Sequence, residues 1–261
     1  MKSQRLSLIL AGMMSATLIA LLVMSAPQQR SSAEAQAPIF YDPPPPPTPT
    51  VAPLPSLPAD LAGTQESGTI LFADTFDAGA GGQVSPAWEI VDVAFVLPED
   101  RAAWMVRDGR LAQNGTAGPT GDPRPHETLA VVGDADWTDY TISAWFYDQF
   151  NAAAGLVARR QGSNFYRFMV IANDYPVAPR VMLERVVDGK ATTLASRDMP
   201  GYDRRRWYHI SMTVQGARIS AAINGETVLD ARDPTFASGQ AGLFTYALGG
   251  MLFDHVRVTT P

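Results

Sequence analysis

Residues 138–148 read Thr-Asp-Tyr-Thr-Ile-Ser-Ala-Trp-Phe-Tyr-Asp, and their alternation decides the fold class. Tyr140, Ile142, Ala144 and Phe146 fall in one phase, and Thr141, Ser143, Trp145 and Tyr147 in the other. A period of two marks a β-strand with one face turned to a core. The pattern returns downstream. Tyr208, Ile210, Met212 and Val214 alternate with His209, Ser211, Thr213 and Gln215, and Ile219, Ala221 and Ile223 alternate with Arg218, Ser220 and Ala222. Asp108-Gly109, Asp188-Gly189 and Asn224-Gly225 punctuate such runs. These pairs supply the positive φ angles of two-residue hairpin turns. They predict antiparallel pairing of 103–107 with 110–113, 180–187 with 190–196, and 218–223 with 226–230. Extended along the chain, the reading gives about a dozen to fourteen short strands, hence an all-β sandwich or barrel.

Upstream of these strands the composition changes twice. Lys2 and Arg5 precede a run, residues 6–26, that holds no charged residue. A positive end followed by an apolar segment is the pattern of an export signal, with small residues at Ala33, Ala35 and Ala37 for cleavage. The run is also long enough to stay as a membrane anchor, and either way the remainder lies outside the cytoplasm. Residues 41–58 read YDPPPPPTPTVAPLPSLP. Proline fixes φ and lacks an N–H, so this stretch favours extended polyproline II and reads as a disordered spacer. At about 3.1 Å per residue, some twenty such residues reach roughly 60 Å. The division expected is 1–37 signal or anchor, 38–68 Pro-rich linker and 69–261 domain.

Composition excludes several functions. The 261 residues carry 20 Lys+Arg against 26 Asp+Glu, a net charge of -6. Nucleic-acid binding relies on basic surface, so it is excluded. With no Cys there are no disulfides, Cys-zinc sites or thiol nucleophiles. The three histidines, His126, His209 and His255, have no metal-ligand spacing.

LFADTFD (71–77), WMVRDGRLAQ (104–113), DWTDYTISAWF (136–146), GLVARRQGSNFYRFMV (155–170), RRWYHISMTVQGARISAAINGETVLDARD (205–233) and SGQAGLFTYALGGMLFDHVRV (238–258) follow in an order that resembles the concanavalin A-like lectin/glucanase superfamily. Laminin-G-like and 3-keto-disaccharide-hydrolase-like domains are the nearest in pattern. The resemblance implies a jelly-roll sandwich of two antiparallel sheets, preceded here by an N-terminal apolar helix and the linker. It implies that the first strand, Ile70–Phe72, lies near the last, Leu252–Val258. It also implies a structural calcium (Ca2+) where those strands meet, carried over onto Asp74, Asp77 and Asp254. Calcium takes six to eight oxygens. Relatives often read Phe-Asp-Asp where this chain has Phe253-Asp254-His255, one carboxylate fewer.

Chemistry is harder to place. Retaining glycosidases need two carboxyl groups about 5–5.5 Å apart. The superfamily's glucanases place them in an E-x-D-x-x-E or E-x-D-x-E run, and no such run occurs here. Glu127, Asp148 and Glu184 are isolated in sequence, so solvated or ion-paired carboxylates are the preferred reading and a non-catalytic chain is expected. The aromatics Phe72, Phe76, Trp88, Trp104, Trp137 and Trp207 read as core or edge packing. For a ligand, the open sheet face offers Trp145 and Tyr147, then Arg159 or Arg160 from the next strand, Tyr166 and Arg167 from the one after, and Arg180 beside a loop that also holds Tyr175. Aromatic rings stack on sugar C–H faces and arginines bond hydroxyls or carboxylates. The expected role is therefore an exported or membrane-tethered binding module for carbohydrate on or outside the cell envelope. A structural or adhesion domain that binds protein and a glycoside-processing hydrolase are the alternatives. Oligomeric state has no signature in the sequence.

Overall fold

The alternation becomes fifteen strands among the described residues of the computed structural model. These residues are 55–59, 68–78, 82–93, 101–115, 127–150, 152–246 and 249–261. The apolar run 6–26, and with it the expected signal or anchor, lies outside them. The strands are β1 (Ile70–Asp74), β2 (Glu89–Asp92), β3 (Ala103–Arg107), β4 (Arg110–Asn114), β5 (Glu127–Val132), β6 (Tyr140–Asp148), β7 (Ala153–Gln161) and β8 (Asn164–Ile171). They continue as β9 (Val181–Val187), β10 (Lys190–Arg197), β11 (Trp207–Gln215), β12 (Arg218–Ile223), β13 (Glu226–Arg232), β14 (Gln240–Tyr246) and β15 (Met251–Thr259).

The three hairpins read from Asp-Gly and Asn-Gly form as expected: β3 with β4, β9 with β10, and β12 with β13. Asp108, Asp188 and Asn224 each take a positive φ, as two-residue turns require. One sheet has eight strands in the order β13-β12-β11-β6-β15-β4-β3, with β1 on the same side of β15 as β4. Phe72 lies opposite Val258, so the first and last strands do meet. The other sheet has seven strands in the order β10-β9-β8-β7-β14-β5-β2. This is the jelly-roll sandwich, all-β and antiparallel throughout its strand ladders.

The core lies between the sheets. Ile142, Ala144, Phe146, Ile210, Met212 and Phe253 come from one inner face. Leu156, Phe168, Leu183, Leu243 and Val132 come from the other. Phe76, Trp88 and Trp104 are buried in it, and Phe72 and Trp137 pack against it. Trp207 does not: it sits on the outer face of the eight-stranded sheet.

One connection matters for the site. β6 belongs to the eight-stranded sheet, and β7 to the seven-stranded sheet. The chain therefore changes layer between Asp148 and Ala153. Strands adjacent in sequence here are not neighbours in a sheet, so the expected face running from Trp145 through Arg159 to Tyr166 does not exist.

Candidate functional site

The crossover scatters the residues expected to bind a ligand. Trp145 and Tyr147 do lie opposite the core, on the outer face of the eight-stranded sheet. Trp145 is buried there, its ring 5.1 Å from that of His209. Tyr147 is half-buried against Trp207, at 5.4 Å. Arg159 occupies a bulge in β7 with φ 51 and is 1% exposed. Its Nε donates to the Thr138 carbonyl at 2.9 Å, and its Nη1 to those of Gly216 and Phe236 at 2.7 and 2.8 Å. Its Nη2 pairs with Asp139 at 3.1 Å. An arginine so engaged pins loops together and offers nothing to a ligand. Arg160 is held by Glu89 and Gln240. Tyr166 faces the inter-sheet core, with its hydroxyl donating to the Asp233 carboxylate at 2.8 Å. Burial, first of all, pushes that hydroxyl up to about 12. Arg180 is half-buried just before β9, and it is the preceding Pro179 that lines an opening.

That opening lies on the outer face of the seven-stranded sheet. Residues 153, 155 and 157 of β7, 165–171 of β8 at alternate positions, 182, 184 and 186 of β9, and 242, 244 and 246 of β14 share this face by register. A cleft of about 350 Å³ is walled by Tyr175, Tyr246, Met169, Met182 and Ile171, with Glu127 at its rim. Met169 and Met182 are cross-strand partners, and Glu127 is opposite Tyr246, so the ladders themselves fix the walls. The Ala178-Pro179 peptide, which is cis, closes one side.

Beside the cleft, a charge cluster replaces the apolar surface. The Arg167 guanidinium donates to Glu184 Oε2 through Nη2 at 2.6 Å and through Nε at 3.0 Å. Its Nη1 lies 2.7 Å from Glu127 Oε1, close enough for an ion pair but too poorly aligned for a hydrogen bond. Burial works to lower the Arg167 pKa, and the two carboxylates more than offset it, so it is raised. Glu184 is nearly buried, whereas the Glu127 side chain keeps 33% exposure and faces the cleft. The cluster carries one net negative charge at the rim.

So Glu127 and Glu184 do converge, as their isolation in sequence left open, but on an arginine between them. Asp148 stands elsewhere, on the inner face of β6. It accepts hydrogen bonds from the Phe150 N–H at 3.0 Å and the Tyr202 hydroxyl at 2.8 Å. Burial is the main cause of its rise to about 6.

The acidic residues carried over for calcium do not make a cage. Asp74 accepts the Phe76 N–H at 2.8 Å and the Trp88 Nε1–H at 2.9 Å. Asp77 accepts the Thr75 hydroxyl. Asp254 bonds the backbone and ring of His255 at 2.8 Å and faces Arg110 at 3.8 Å. Burial raises its pKa against the opposing pull of His255 and Arg110. Among the described residues no group of three or more acidic or histidine side chains could hold a metal ion. Asp74, Asp77 and Asp254, each taken up by protein donors, do not gather into a calcium site.

The carbohydrate-binding module CBM66 of Bacillus subtilis superposes with a TM-score of 0.51 at 19% identity, covering 69% of this chain and 98% of that one. The β-glucanase of Bacillus licheniformis gives 0.51 at 10% identity, over 75% and 100%. A Bacillus subtilis protein of unknown function with a galectin-like fold gives 0.51 at 10% identity, over 75% and 97%. The domain has the concanavalin A-like jelly-roll fold. No family model and no curated protein matches the chain. At these identities the likeness concerns the fold alone.

The sequence offered Arg167 for a ligand face and left the meeting of Glu127 with Glu184 open, but the grouping of all three beside Tyr246 was missed. A signal was present. NFYRFMVI holds one charge, Arg167, and VMLERVV the adjacent pair Glu184-Arg185, each inside an otherwise apolar strand. A charge buried on a strand needs a partner, and a neighbouring strand is the nearest place for one.

Proposed function

We propose that this chain is an exported or membrane-tethered binding module, and that its ligand is a carbohydrate held in the cleft between Tyr175 and Tyr246. The observation that carries the reading is the composition of that cleft: two tyrosine rings, an apolar floor and a single carboxylate at the rim. Rings and methionines cover the C–H faces of a sugar, and Glu127 accepts from its hydroxyls. The jelly-roll fold is shared with a carbohydrate-binding module, which supports the reading without fixing it. The non-catalytic assignment rests on the glutamates. A retaining glycosidase needs two carboxyl groups facing one another across the bond to be cut. Here Glu127 and Glu184 instead flank one guanidinium, with Glu184 buried against it.

A glycan array with the full chain, repeated with Tyr246→Ala, tests this. A hit that the variant loses supports the cleft. A blank array with both proteins moves the assignment to a protein-binding domain, and release of reducing sugar from the array would make the chain a hydrolase.

A further inference from the structure

The outer face of the other sheet carries a second apolar feature. Trp207 is the register partner of Tyr147, Tyr147 of Leu252, Leu252 of Ala112, and Ala112 of Met105. These residues form an unbroken row across β11, β6, β15, β4 and β3, one residue per strand. Four strand spacings of about 4.8 Å make the row about 19 Å long. An extended polyproline II chain at about 3.1 Å per residue covers that length with about six residues. One end of the row is already touched. The Trp207 indole N–H donates to the carbonyl of Ser56, 151 positions earlier in the chain, at 3.1 Å.

Residues 55–59 read Pro-Ser-Leu-Pro-Ala. Pro55 and Leu57 are half-buried, while Ser56, Pro58 and Ala59 are exposed. Leu57 precedes a proline, which disfavours helical backbone and holds it extended. Such a segment has no ladder of its own, so its carbonyls are free to accept. A row of aromatic and apolar side chains ending in an indole N–H is the complement of that chemistry, since it gives the prolines and leucine a surface and the carbonyl a donor.

We propose that the row Trp207–Tyr147–Leu252–Ala112–Met105 is a docking surface for an extended proline-rich segment, and that residues 55–58 of this chain occupy it. Docking takes this end of the linker out of the free spacer. It also leaves the glycan cleft uncovered by the segment, because the cleft opens on the outer face of the opposite sheet.

The absence of cysteine makes the test clean. The full chain with Ser56→Cys carries one thiol, to which a nitroxide is attached. The protein is labelled with 15N at tryptophan indoles and 13C at methionine methyls. The Trp207 indole and the Met105 methyl are expected to lose most of their intensity and to regain it when the nitroxide is reduced. Met169, on the opposite outer face, is expected to keep its intensity. Adding Leu57→Asp, or Trp207→Phe, which keeps a ring but removes the donor, is expected to restore the Met105 signal. Equal broadening of Met105 and Met169, or none, overturns the proposal. A mixture of spin-labelled chain with separately isotope-labelled chain is the last arm. Loss of the Trp207 signal in that mixture would assign the occupant to a second copy and overturn docking by the chain's own segment.

Discussion

The guanidinium carbon of Arg167 lies 4.6 Å from the centroid of the Phe244 ring, on the outer face of the seven-stranded sheet. A ring on one side and carboxylates beside its nitrogens surround this cation. Cation–π attraction of this kind adds on the order of 1 kcal/mol or more when the cation is desolvated. The consequence for recognition is that the arginine positions Glu127 at the cleft and does not itself reach a ligand.

Arg167→Met removes the charge while keeping most of the stem. It leaves Glu184 buried and uncompensated, and breaking a buried pair in this way costs about 3–5 kcal/mol. Arg167→Lys is expected to recover only part of this, because an ammonium cannot fork between the Glu184 oxygen and Glu127. Urea denaturation of the three proteins reads the difference. A loss below about 1 kcal/mol for the methionine variant would show that the cluster is solvent-screened like a surface pair.

The cleft and the opposite face make contrary predictions for aromatic truncation. Tyr175→Ala and Tyr246→Ala are each expected to weaken glycan binding about tenfold, or about 1.4 kcal/mol. Trp145→Ala is expected to leave affinity unchanged and to lower the melting temperature, since its ring packs on His209. Titration calorimetry with the array hit, alongside thermal melts, separates the two effects. Loss of binding in the Trp145 variant with an unchanged melting temperature would relocate the site.

Two buried titratable groups oppose one another in acid. Burial lowers the His209 pKa to about 4 from its ordinary 6.5, so between these values the unfolded chain binds the proton and the folded one does not. Stability therefore falls as pH drops through that window, on the order of 3 kcal/mol in all. Asp148 behaves in the reverse sense. Its pKa rises from 3.8 to about 6, so the folded state holds the proton in that interval. Its favourable contribution is present below 3.8 and is lost as pH rises through 6. His209→Asn is expected to flatten the acid loss. Asp148→Asn, which mimics the protonated acid, is expected to stabilise above pH ~6 and to change little near pH ~4. Denaturation series across this range check both, and parallel slopes for the two variants would contradict the assignment.

Arg159→Lys is the third stability test. A lysine has one nitrogen where Arg159 bonds three backbone carbonyls and pairs with Asp139. Leaving buried carbonyls without a donor costs about 1–3 kcal/mol each. The variant is expected to lose several kcal/mol by calorimetry and to keep its glycan affinity once folded. An unchanged stability would mean that water replaces the guanidinium at this bulge.

The strand pattern, the hairpins and the burial of Phe146, Ile210 and Met212 were legible in the sequence, because the side-chain period of a strand and the φ demands of Asp-Gly and Asn-Gly turns are local properties. The pairing of the first strand with the last was available only through resemblance. The faces that matter were not legible in either way. Trp145 and Arg159 are fourteen positions apart on consecutive strands, yet one lies on an outer sheet face and the other is enclosed, because the chain changes layer between β6 and β7. Alternation says which residues share a face of one strand; it carries no record of which strand comes next across the hydrogen bonds. Glu127, Arg167, Glu184 and Tyr246 meet through such lateral neighbours, and the row from Trp207 to Met105 is assembled in the same way. By itself the sequence determined the periodicity, the turns and the absence of cysteine chemistry. The order of strands across each sheet, a product of long-range pairing and of packing two layers around one core, decided which side chains became a site.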